Sequence, residues 1–413
     1  MFDVAPEKAG FDPKRLARVT EHLERSYIQP GKIAGCQTVV SRQGQVAYFS
    51  SQGNMDRERA RPMQDDTIFR IFSMSKPITS VALMSLYEQG YFQVDDPVSR
   101  YIPEWKDQRV YVSGEGASMQ TRPPERPISF RHILSHQSGL SYGGGLAAVG
   151  GEGAVHPADR RYVELGVNRG GDETLRTFVE KLADVPLRFD PGSRWMYSYS
   201  TDVCGYLVEA ISGKPFDEYL REVIFEPLGM KDTAFYVPPE KRDRLAAGYR
   251  RAANKSLKLM DDPETSRYHE EPSFFSGGGG LVSTTADYAR FCEMLRRGGE
   301  LDGARILGPR TLWMMTQNHL TGGKSLAEMA VGMYSETAYD AIGFGLGFAM
   351  TLDAVGAGSI AAGDYYWGGA ASTIFWVDPA EDLFVIFMTQ LMPSATFNFR
   401  GQIKSIVYSA IVN

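Results

Sequence analysis

The chain has 413 residues, too many for one simple core, so two lobes or one large domain with an insertion are expected. Hydrophobic residues make up 43% and charged residues 23%, the balance of a globular protein rather than a disordered or fibrous one. A formal net charge of −6 argues against nucleic acid or an anionic membrane as partner. The densest basic stretch (Arg250, Arg251, Lys255, Lys258) reads as a solvated loop.

Met1 to Glu7 carries acidic groups and no apolar run, so no secretory signal is expected. No segment approaches the roughly 18 apolar residues that span a bilayer. Cys36, Cys204 and Cys292 are far apart and odd in number. That pattern suits free thiols in a reducing compartment, and a cytoplasmic location is expected. No Cys/His spacing resembles a zinc site, and neither a metal nor an organic cofactor is expected.

Taken in chain order, Asp12-Pro13 caps and opens a helix whose Leu16, Val19, Leu23 and Tyr27 recur at helical spacing. Residues 34–42 and 45–51 flank Gln43-Gly44 and read as a hairpin. Thr67–Phe72 is short and extended and leads into a helix from about Ser73 to Gln89, closed by Gly90. Pro77 is tolerated because it lies in the first turn. From 91 to 224 the pattern becomes helical segments, 130–136, 173–183 and 201–212, between long loops at 105–127 and 143–172. The last third returns to strands, at 343–351, 373–378 and 383–390, before a helix over 397–411. Both chain ends are therefore expected to build one antiparallel sheet, with residues 91–224 as a mainly helical insertion.

Three segments could carry chemistry. Ser73-Met74-Ser75-Lys76 puts a lysine one turn from a serine on the same helix face, near a positive helix end. A serine hydroxyl is a weak nucleophile until a neighbouring base takes its proton. About one Ser-x-x-Lys match is expected by chance in a chain of this size, so the motif alone is weak. Trp195-Met196-Tyr197-Ser198-Tyr199 offers a tyrosine that could act as base or acid beside an ammonium, or simply an aromatic cluster under a helix. Trp367-Gly368-Gly369-Ala370 precedes a strand, where a backbone amide could face an oxyanion and two glycines could admit a ligand; a plain turn is the bland alternative.

In this order and spacing the three segments resemble the serine β-lactamase and penicillin-binding-protein superfamily, closest to class C β-lactamase-like esterases, the family VIII carboxylesterases. Ile133-Leu134-Ser135-His136-Gln137-Ser138-Gly139-Leu140, Asp202–Tyr206, and Gly277–Gly280 leading into Leu281-Val282-Ser283-Thr284 extend the resemblance over nearly the whole chain. The resemblance implies an α+β fold with an antiparallel sheet flanked by helices, divided into an α/β lobe (1–90 and 225–413) and a mainly helical lobe (91–224). It implies Ser73 as acylated nucleophile, Lys76 as its proton partner and Tyr197 as general base. The amides of Ser73 and Ala370 would form the oxyanion hole. Trp367, Gly368, Gly369 and Tyr142 would contact substrate, and Asp202 would support the site from behind. The superfamily's lactamases and peptidases carry Lys-Thr-Gly where this chain has Trp367-Gly368-Gly369, which implies weak activity of those kinds.

The expected function is hydrolysis of small to medium carboxylic esters through an acyl-enzyme, with a small-molecule ester as partner. The alternatives are acyl transfer, weak β-lactamase or D-amino-acid peptidase activity, and a non-enzymatic binding protein on the same scaffold. A rival nucleophile motif, Gly139-Leu140-Ser141-Tyr142-Gly143, matches the α/β-hydrolase elbow. It follows a helix instead of a strand, so Ser141 reads as a decoy, although His269 and His319 follow it in triad order. His132 and His136 lie i, i+4 with no third ligand nearby and read as structural, and His22 as exposed.

Overall fold

Gln43 and Gly44 both take positive φ, 55° and 75°, as a two-residue turn between right-twisted strands requires. The turn folds Gly35–Arg42 back on Gln45–Asp56. The structure, a computed structural model, describes residues 2–143, 155–332 and 337–412. All of Gly35–Arg42 is buried, because its other edge pairs with Leu383–Thr389, setting Cys36 opposite Thr389 and Val39 opposite Ile386. The two chain ends thus share one eight-stranded antiparallel sheet. Its order is Ile342–Phe344, Ala349–Thr351, Tyr365–Gly368, Ile374–Asp378, Leu383–Thr389, Gly35–Arg42, Gln45–Asp56, Arg61–Pro62.

Helices cover both faces. Phe375 stands opposite Ile386 in the sheet, and the ring of Tyr288 from the helix Thr285–Arg296 packs on it. Phe387 points to the other face, since successive strand residues alternate, and meets Phe399 of the C-terminal helix Phe399–Ser409. The N-terminal helix packs there too, with Tyr27 against Phe397 and Phe399. It starts where Asp12 Oδ1 accepts from Lys14 N (2.8 Å) and Arg15 N (3.1 Å) with Pro13 in the first turn. His22, on its flank, is half-buried rather than exposed and bonds Gln402 at 2.9 Å.

The helix Ser75–Glu88 is buried at every position from Ser75 to Leu86. A helix covered all round belongs in a core, and this one packs against Ser200–Ser212. Gly90, at φ 82°, follows its end. Phe130–Leu134 and Leu175–Leu182 form within the expected segments.

Three expectations are corrected. The loop expected over 105–127 holds a hairpin, Val110–Ser113 with Gln120–Arg122; its strands are too short for a clear alternation to show in the sequence. Within the loop expected over 143–172, Pro157–Glu164 is helical. It opens on Pro157 with the His156 side chain accepting from Ala158 N, a cap outside the usual Ser, Thr, Asp and Asn. Residues 144–154 of that segment lie outside the described residues. The basic stretch at 250–258 is a hairpin of Gly248–Arg251 and Leu257–Asp261, with Arg250, Lys255 and Lys258 exposed. The three cysteines are buried and unpaired. Among the described residues no helix is long and apolar enough to cross a membrane.

Candidate active site

The strand Ile68–Arg70 pairs with Val282–Thr284, and Ile71 N continues the contact to Leu281 O at 3.1 Å. Phe72 then takes φ 43°, a left-handed conformation that costs a bulky residue on the order of 1–3 kcal/mol. This corner turns the chain from strand to helix within one residue. Ser73 follows in the short turn Phe72–Met74, and Lys76 lies one turn on in the buried helix. Lys76 Nζ donates to Ser73 Oγ at 3.1 Å and to Gly278 O at 2.5 Å. Lys76 is only 2% exposed, while Ser73 retains 8%, so the ammonium is held from within and the hydroxyl faces the opening.

Gly278 is itself fixed. Asp202 Oδ1 accepts from Gly278 N (3.1 Å) and from Ser276 Oγ (2.5 Å). Thr79 Oγ1 donates to Gly277 O at 2.8 Å. A Cβ on Gly278 would lie 2.7 Å from Asp202 Oδ2, so glycine is what lets this turn approach the helix Ser200–Ser212. Asp202 therefore acts on Lys76 through the carbonyl that Lys76 bonds.

Tyr197 lies across the lysine. Lys76 Nζ is 4.5 Å from the centre of the Tyr197 ring, and Trp367 Nε1 donates to the Tyr197 hydroxyl at 3.2 Å. Tyr142 packs edge-on against Tyr197, ring centres 5.4 Å apart, and its own ring centre is 5.8 Å from Lys76 Nζ. On the far side, the strand containing Trp367 ends at Gly368-Gly369. A Cβ on Gly369 would lie 2.4 Å from Ile71 O and 2.3 Å from Thr373 Oγ1. The Ala370 corner is thereby drawn against the turn that carries Ser73. Neither Ser73 N nor Ala370 N donates to a protein acceptor among the described residues.

A protein-family model described as β-lactamase matches residues 20–403. The chain belongs to the β-lactamase family. It is 32% identical to protein Rv1367c of Mycobacterium tuberculosis, over 89% of this chain and 88% of that one. It is 30% identical to esterase EstB of Burkholderia gladioli, over 93% of each. Among solved structures it resembles EstCE1, described as a hydrolase with promiscuous acyltransferase activity, with TM-score 0.79 and 29% identity over 96% of this chain and 99% of that one. The antiparallel sheet between helices is the fold of this family.

Within this β-lactamase-family fold, Ser73, Lys76, Tyr197, Trp367, Tyr142 and Asp202 gather around one lysine. Gly368 and Gly369 are buried, and the space beside their Cα atoms is filled by Thr373, Arg400 and Ile71. Trp367 is 1% exposed and sits under Tyr197 and Phe344, where its indole N–H positions the phenol.

Ser141 does not enter this group. Its Oγ donates to Asp159 Oδ1 at 2.6 Å and accepts from Gly143 N at 3.0 Å. His319 is engaged elsewhere, by Arg131 and Met314 O, and His269 shares no contact with Ser141. The residue that the motifs left out is His136. The helix Phe130–Leu134 ends before it, and its φ of 57° turns it away from the face of His132, so the expected i, i+4 pair does not form. Its carbonyl accepts from Met196 N (2.9 Å), and its ring reaches Ser198 Oγ (3.2 Å) and Thr201 Oγ1 (3.4 Å) and packs on Tyr197. Burial, and secondarily the Lys76 charge, holds this imidazole well below its usual pKa, so it is neutral at pH 7. It clamps the segment that carries Tyr197. In the sequence His136 stood at the end of the expected helix 130–136 and within the family-like stretch Ile133–Leu140, which gave no sign of its contact with Tyr197.

Proposed function

We propose that the protein is a cytoplasmic serine carboxylesterase in which Ser73 is acylated with help from Lys76 and Tyr197. The observation that carries this reading is the 3.1 Å bond from a buried ammonium to a partly open serine hydroxyl, with a tyrosine ring beside the same ammonium. A proton relay of this kind contributes roughly 10²–10⁴-fold to proton-transfer steps. Ser73 Oγ attacks the ester carbonyl as its proton passes to Tyr197 in its phenolate form, which the Lys76 ammonium stabilises, and the resulting phenol gives that proton to the departing alcohol. Water then attacks the acyl-enzyme as the regenerated phenolate takes its proton, and that proton passes to Ser73 Oγ as the acid leaves. The Ser73 and Ala370 amides receive the negative oxygen, each well-placed donor lowering the barrier by roughly 3–4 kcal/mol.

The relatives support the reaction class, since one is an esterase at 30% identity and another a hydrolase with acyltransferase activity. The second name favours a second reading, in which an alcohol replaces water in the deacylation step on the same site. The reading also divides the chain into an α/β lobe, 1–90 and 225–413, and a mainly helical lobe, 91–224, with the site between them. It is supported by a main sheet drawn only from residues 35–62 and 342–389. The deciding experiment is intact-mass analysis after a fluorophosphonate or a p-nitrophenyl short-chain ester, with peptide mapping. Label on Ser73 is expected; label on Ser141, or on no serine, overturns the assignment.

A further inference from the structure

Arg169 has no role in the chemistry above. The loop that carries it is pinned at both ends. Val167 N bonds Tyr162 O at 2.8 Å, Gly166 O accepts from Lys181 Nζ at 3.2 Å, and Gly171 O accepts from Ser273 Oγ at 2.7 Å. Its guanidinium lies over two rings of the site, Cζ standing 5.7 Å from the centre of Tyr142 and 5.3 Å from that of Tyr199. Tyr142 is the ring whose other neighbour is Lys76, at 5.8 Å. The residue is solvent-exposed.

Nearby arginines are matched to carboxylates: Arg188 to Asp159, Arg122 to Asp190 and Arg131 to Asp95. Arg169 has no carboxylate within ion-pair distance among the described residues. The nearest acid acting on it is the buried Asp202, which is turned to Gly278 and Ser276. The guanidinium stands beside both tyrosine rings and is hydrogen-bonded to the Tyr199 side chain, and its fork geometry matches a planar two-oxygen anion.

We propose that Arg169 is a carboxylate-binding residue of this site, so that favoured substrates are esters carrying a second, free carboxylate several bonds from the scissile carbonyl. The inference rests on the esterase reading and assigns its substrate class. The Tyr142 ring has Arg169 on one side and, on another, Lys76, which bonds the Ser73 hydroxyl.

The test compares p-nitrophenyl hydrogen glutarate with neutral p-nitrophenyl pentanoate, and para-acetoxybenzoate with para-acetoxybenzamide, on wild type, Arg169→Gln and Arg169→Lys. The expected result is a wild-type preference for at least one anionic ester. The anionic-to-neutral ratio of kcat/KM then falls roughly tenfold or more in Arg169→Gln, with the loss in KM and partial rescue by Arg169→Lys. A ratio unchanged within about twofold overturns the proposal. A second measurement is independent of turnover: calorimetric binding of monoethyl glutarate to Ser73→Ala, with and without Arg169→Gln. Equal binding by the two proteins overturns the Arg169 assignment. Full hydrolysis by Ser73→Ala overturns the Ser73 assignment instead, and hydrolysis of none of these esters by the wild type overturns the esterase reading, so the failures are distinct.

Discussion

Around Ser73, the hydroxyl accepts a hydrogen bond from a buried ammonium that a backbone carbonyl also holds. Around Ser141, the hydroxyl gives its own proton to a carboxylate whose second oxygen is paired with Arg188. The serines sit in motifs of comparable length, yet only the first has a neighbour able to pass protons to and from an attacking oxygen. The second is a structural link: its hydroxyl, Asp159 and Arg188 tie the loop after Phe130–Leu134 to the helix Pro157–Glu164. A nucleophile motif acquires meaning from what the rest of the chain brings to it. For Ser73 that neighbour is Lys76, held in turn by Gly278 O from 202 residues away along the chain.

The sharpest way to break this contrast is to remove each hydroxyl. Ser73→Ala is expected to lower ester kcat on the order of 10⁴-fold or more, while Ser141→Ala keeps initial rates within about threefold and costs about 1–3 kcal/mol of unfolding free energy. Interchanged outcomes would assign the chemistry to the elbow motif. Next in size are Lys76→Met and Tyr197→Phe, each expected to depress kcat roughly 10²–10⁴-fold with KM little moved. An effect confined to KM would make them binding groups. Asp202→Ala strands Gly278 N and Ser276 Oγ. It should reduce kcat about tenfold and stability by about 1–3 kcal/mol, read from steady-state kinetics and a urea midpoint on the same preparation.

On catalysis the smallest expected effect is that of pH, which acts on stability. His136 is held well below its ordinary pKa, and burial, with Arg126 contributing, pushes His132 down to about 4. Because the folded values lie below the unfolded one near 6.5, the unfolded chain binds more protons, and stability falls as pH falls. Denaturant midpoints should drop between pH about 6.5 and about 4, by about 1.4 kcal/mol per pH unit for each such histidine. His136→Gln should flatten part of that slope. A midpoint independent of pH over this window would mean that neither imidazole is kept neutral.

The elements nearest the ends were legible before the structure, because their signals are local. Asp12-Pro13, Gln43-Gly44 and the alternation through 383–390 each state their geometry within a few residues. The helix Pro157–Glu164 and the hairpin Val110–Ser113 with Gln120–Arg122 were not: one is capped by a histidine, and the other is too short to show a period. Ser73, Lys76 and Tyr197 were nominated by residue type and order. The placement of His136 and Arg169 on the aromatic rings beside them was not, since a lone histidine or arginine has no periodic signature.

What the amino-acid order determined by itself is the serine–lysine spacing on one helical turn, the capped and hairpin-turned elements, and the family to which they belong. Tertiary structure alone decided three things. It set Ser73 Oγ against Lys76 and Ser141 Oγ against Asp159, made Gly277–Gly280 and Gly368-Gly369 places of close chain approach, and buried Lys76 beside Tyr197. The contacts around Lys76, Gly277-Gly278, Asp202 and Tyr197 join groups 76 to 202 residues apart in the chain. Spacing along a sequence constrains atoms only within a turn or a strand pair, whereas hydrogen-bonding and steric exclusion act between whatever the fold brings within a few ångström.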